Sequence, residues 1–111
     1  MNSEIEIYQI NKVVPKLSKW FNNEKLICSQ ILINYLNLEE KVGDVNYYDL
    51  ANKCKNLKTF KTNFAQMKNL GEKNHGKIFE VNKDKIQLWK PIEKDIYREF
   101  TKYKKSKGYN N

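Results

Sequence analysis

Apolar residues recur at intervals of three and four through the first two thirds of this 111-residue chain, alternate after residue 76, and return to the helical interval from residue 92. Ser3-Glu4-Ile5-Glu6 has capping-box spacing, and Ile7, Ile10 and Val14 continue it as one helix face. This predicts an N-terminal helix that Pro15 ends or kinks, with a short strand over residues 4–7 as the competing reading. Pro15 can equally open a turn that carries Leu17, Trp20 and Phe21. Asn22-Asn23-Glu24 predicts the cap of a second helix over residues 24–38. Its Leu26, Ile27, Ile31, Leu32, Tyr35 and Leu36 cover more than one stripe and place it centrally. Residues 39–44, with Gly43, read as a turn, Val45-Asn46 as a brief strand, and residues 47–55 as a helix on Tyr47, Leu50, Ala51 and Cys54.

After a break at Asn56-Leu57, Phe60, Phe64 and Met67 predict a helix from residue 58 to 70, closed by Gly71. Residues 77–81 and 85–89 are β-rich runs around Asn82-Lys83-Asp84, the pattern of a hairpin, and Pro91 stops the second run. Ile92, Ile96, Phe100 and Tyr103 then mark a last helix, followed by a basic, mobile tail over residues 104–111. The whole is a single domain, mostly α with a small β-hairpin: a core over residues 24–103, a helical extension over residues 1–22, and the tail.

Helix, short strand, helix, tight turn, helix, hairpin, helix is an order similar to the winged helix-turn-helix class of DNA-binding domains. The residues that carry the resemblance are Tyr48-Asp49-Leu50-Ala51-Asn52-Lys53-Cys54 as the first helix of the pair, with Ala51 as the small residue at the crossing. Leu57 takes the apolar turn position, Phe60, Phe64 and Met67 the buried side of the second helix, and residues 76–91 the wing. The turn at Lys55-Asn56 departs from the class in lacking its common glycine. The resemblance implies a recognition helix over residues 58–69 that presents Lys58, Thr59, Lys61, Thr62, Asn63, Gln66 and Asn69 to a major groove. The wing adds Lys77, Lys83 and Lys85, with His75 just before it. Lysines suit phosphates, and Asn or Gln suits the adenine edge.

Charge sharpens this picture. The chain carries a net +8, but residues 1–50 hold five lysines against seven acids, whereas residues 51–111 hold fifteen lysines and Arg98 against six. An AT-rich coding bias accounts for abundant Lys, Asn, Ile and Tyr; it does not account for so uneven a distribution. A basic half points to a polyanion, with duplex DNA as the expected partner. Because arginine is absent from this face, bidentate Arg–guanine readout is excluded, leaving A·T-directed or backbone-driven binding. Two other functions compete: a protein-interaction module or inhibitor acting on a nucleic-acid enzyme, and single-stranded nucleic-acid binding with Phe79 or Trp89 as stacking platforms. Exposure of those two aromatics discriminates the last.

The remaining chemistry is sparse. Cys28 and Cys54 fit no disulfide framework and, with His75 the sole histidine, no zinc site; they read as free core thiols in a reducing cytoplasm. Glu39-Glu40 and Asp44/Asp49 lack the partners for paired-carboxylate or two-metal catalysis, and the glycines form no phosphate-cradling loop. No enzyme activity, cofactor or metal is expected. No apolar run is long enough for a membrane span, and no secretory signal is evident, so the expected location is cytoplasmic. The stripe Ile92, Ile96, Phe100 and Tyr103 is the candidate homodimer surface, unless it packs back on the first helix.

Overall fold

A buried stripe of Gln9, Val13, Leu17, Trp20 and Phe21 carries the first helix, α1 (Glu4–Phe21), on past Pro15. The computed structural model describes residues 4–69 and 76–108, so Ser3 and the closing Gly71 lie outside the described residues. The helix does not end at Pro15. A proline inside a helix costs about 3 kcal/mol, but Val13 and Leu17 on either side of it are fully buried. Both must stay in phase to reach one core, and Pro15 itself is exposed. The inward face is therefore not the Ile7–Ile10–Val14 stripe read from the sequence: Ile7 is exposed and the other two are partly buried at its flank.

The second helix, α2 (Ile27–Val42), starts three residues later than expected and takes in the first four residues of what read as a turn. Gly43, with φ +83°, ends it by donating its N–H to the Glu39 carbonyl. The extra turn is held by one contact within α2 and two from the last helix. Glu39 accepts hydrogen bonds from the hydroxyls of Tyr35 (3.0 Å) and Tyr97 (2.6 Å), and Lys104 pairs with Glu40. Burial first, and then Glu39, push both phenols above their ordinary range, so the clasp keeps its protons throughout physiological pH.

β1 (Val45–Asn46) leads into α3 (Tyr47–Lys53), whose start is capped by Asn46 accepting from the Asp49 N–H at 2.8 Å. A tight connection leads to α4 (Phe60–Lys68), then β2 (Phe79–Asn82) and β3 (Lys85–Leu88), joined by a two-residue turn at Lys83-Asp84. The three strands form an antiparallel sheet in the order β1-β3-β2, with Val45 opposite Ile86 and Phe79 opposite Leu88. The result is mostly helical with a small antiparallel sheet, as the periodicities predicted, and β1 belongs to the sheet.

A short 3-10 turn (Lys90–Ile92) precedes α5 (Glu93–Ser106). Its stripe packs back on α1, the alternative that the sequence left open beside a homodimer surface. Ile92, Ile96, Phe100 and Tyr103 are 0, 0, 3 and 8% exposed, with the Phe21 ring of α1 at 6.0 Å from Phe100 and 5.6 Å from Tyr103. The stripe is consumed inside the chain. Nor is the start of the expected mobile tail loose. Residues 104–106 continue α5, and Lys107 pairs with Glu24 at 2.5 Å while the Tyr103 hydroxyl donates to the same carboxylate. Lys107 and then Tyr103 hold the Glu24 carboxyl below its ordinary range, so this anchor acts at neutral pH and is lost as pH falls through that lowered value.

Candidate nucleic-acid interface

Three apolar residues orient α4. Phe60, Phe64 and Met67 are buried at 6, 2 and 0% exposure, and Phe64 sits among the rings of Phe79 (5.2 Å), Tyr47 (5.5 Å) and Phe60 (5.6 Å). That orientation turns Lys58, Thr59, Lys61, Thr62 and Asn69 to solvent and leaves Asn63 and Gln66 half-buried. The helix begins later than the sequence suggested, so Lys58 and Thr59 lie in the preceding turn. Thr59 is engaged locally: its carbonyl and Oγ1 accept from the Asn63 side-chain amide at 3.0 and 2.9 Å. Asn63 thus stitches the first turn of α4.

The hairpin residues separate into different roles. Lys83 is exposed at the tip, in a left-handed conformation with φ +57°. Lys85 is exposed but lies 3.5 Å from Asp44. Lys77 departs from its expected role as a phosphate ligand: it is 8% exposed, and its Nζ donates to the Lys68 carbonyl at 2.7 Å. Glu80 lies 3.6 Å from it and the Trp89 ring centroid 5.9 Å. With the Ile78 N–H donating to the Met67 carbonyl at 2.6 Å, Lys77 closes the C-terminal end of α4, where a cation is favoured by the helix dipole. The signal was present in the sequence, since Lys77 shares the inward phase of Phe79 and Val81 in an alternating run. His75 lies outside the described residues.

Replacing Lys77 with methionine is expected to lower stability by about 1 kcal/mol, the lost charge-assisted bond being partly offset by relief of desolvation. Thermal unfolding checks this. A wild-type melting temperature would remove the capping role.

Lys55, Lys58, Lys61 and Lys83, like several other lysines among the described residues, have no carboxylate within ion-pair distance. The first three gather around an open groove between α3 and the start of α4, which is also lined by Tyr47, Tyr48, Ala51 and Thr62. Tyr48 was not singled out by the sequence, although it stands off the Tyr47–Leu50–Ala51–Cys54 stripe. The aromatics proposed as stacking platforms are buried, Phe79 at 0% and Trp89 at 7%. Both thiols are buried as well, and burial pushes Cys28 and Cys54 above the ordinary thiol range, which makes them poor nucleophiles at neutral pH.

Among the described residues no three His, Cys, Asp or Glu side chains converge as metal ligands, and no helix is long and apolar enough to cross a membrane. Comparison with family models, with curated proteins and with solved structures finds no match to this chain.

Proposed function

We propose that this chain is a winged helix-turn-helix protein that binds double-stranded DNA, as a cytoplasmic transcriptional regulator or an accessory factor of a mobile element or phage. The observation that carries the reading is topological. The order α2-β1-α3-α4-β2-β3 with β1 closing the hairpin into a β1-β3-β2 sheet is the arrangement a winged helix-turn-helix requires, and it leaves α4 with its lysine-bearing face outward. In this reading α4 enters the major groove and the Lys83-Asp84 turn is the tip of the wing. Lys58, Lys61 and Lys83 meet phosphates. Thr62, Gln66 and Asn69 are the residues left to meet base edges, because Asn63 is committed within the helix.

Burial of Phe79 and Trp89 removes the support for a single-strand platform built on them. The free, buried thiols support a reducing compartment.

Reversing Lys58, Lys61 and Lys83 to glutamate should leave the helical circular dichroism intact and weaken binding to a mixed duplex pool. Each lost phosphate contact should flatten the plot of log affinity against log salt by about 0.9. A triple variant that binds as wild type across the titration would end the DNA reading in favour of a protein partner.

A further inference from the structure

The groove between α3 and α4 has a second wall that the lysine pattern alone does not reveal. Tyr48 and Ala51 stand three residues apart on α3, Lys55 follows in the turn, and all three line the groove together with Lys58, Lys61 and Thr62. Tyr48 is 66% exposed, the most of any large apolar or aromatic side chain among the described residues. Its ring nevertheless rests edge-on against Tyr47 at 5.8 Å, and Tyr47 in turn packs on Phe60 and Phe64. The base of the phenol is thus supported by the core while its hydroxyl faces solvent, with no hydrogen-bond partner among the described residues. Beside it are three ammonium groups without a carboxylate partner among those residues.

We infer that this groove takes one phosphodiester strand of the duplex, with Lys55, Lys58 and Lys61 facing its phosphates and the Tyr48 hydroxyl donating to a phosphate oxygen. The inference rests on the duplex-binding reading and extends it from α4 to α3 by two residues, Tyr48 and Lys55. Their contributions differ in kind. A lysine that meets a phosphate displaces a condensed counterion, whereas a phenol adds a hydrogen bond and displaces none.

Fluorescence anisotropy of a labelled mixed-sequence duplex, titrated with salt, separates the two. Tyr48→Phe, which touches only an exposed oxygen and keeps the fold, should bind about 5-fold more weakly with the wild-type salt slope, as for one lost hydrogen bond. Lys55→Gln should flatten the slope by about 0.9. If both variants bind as wild type while Lys58→Gln is weakened, the groove is overturned and duplex binding through α4 stands. If the wild type itself fails to bind duplex, both fall together.

Discussion

Phe64→Ala is expected to destabilise the fold by roughly 3–5 kcal/mol, a large part of the stability of a domain this size. The ring is 2% exposed and touches three aromatic partners from three elements: Tyr47 of α3, Phe60 of α4 and Phe79 of β2. Truncation leaves a cavity that no single element can close, because its walls belong to two helices and a strand. It also removes ring contacts each worth about 0.5–1.5 kcal/mol beyond area burial. Lys61→Ala, one helical turn away on the outer face, should change stability by less than about 0.5 kcal/mol. Urea unfolding of the two variants checks the pair. Equal midpoints would mean that α4 has the other face inward.

Gly76→Ala should be comparably damaging, at roughly 2–6 kcal/mol. Two independent penalties meet there. The backbone has φ +132°, a region nearly restricted to glycine, and holding an alanine in it costs about 1–3 kcal/mol. A Cβ at this position would also lie 2.1 Å from Cγ2 of Val13, which is fully buried in α1, and such overpacking costs about 1–3 kcal/mol more. Gly43→Ala is the control: its φ is +83°, but nothing lies within 4 Å of the added atom, so only the backbone penalty applies. Combining Gly76→Ala with Val13→Ala should recover part of the loss, because the shorter side chain vacates the clashing volume. Strict additivity of the two would exclude the contact.

Local periodicity was enough to read the order of the elements, and it put Phe60, Phe64 and Met67 inward. These are properties of neighbours in the chain, and spacing records them. What it could not record were contacts between distant residues. The first four residues of the turn expected at 39–44 became helix because Glu39 and Glu40 are held from α5, at Tyr97 and Lys104. The start of the expected tail is anchored by Glu24, some eighty residues earlier. Pro15 is overridden for the same reason: Val13 and Leu17 find partners that no local rule names. In the candidate site, lysine count stood in for lysine position. Lys77 was buried against the end of α4, Lys85 found Asp44, and Lys55, two residues beyond α3, emerged on the groove.

The place of β3 at the centre of the sheet bears on how the chain comes to fold during synthesis. β1 is only two residues long and borders β3 alone, a strand made some forty residues later. β2 pairs with the same strand, and α1 packs along α5, a helix made some seventy residues later. The early helices can touch one another but cannot finish their packing, so each nascent intermediate exposes apolar helix faces until β3 and α5 are made. The expected outcome is one cooperative step once α5 has been made, with chains shortened before it prone to aggregate rather than to persist as smaller folded units.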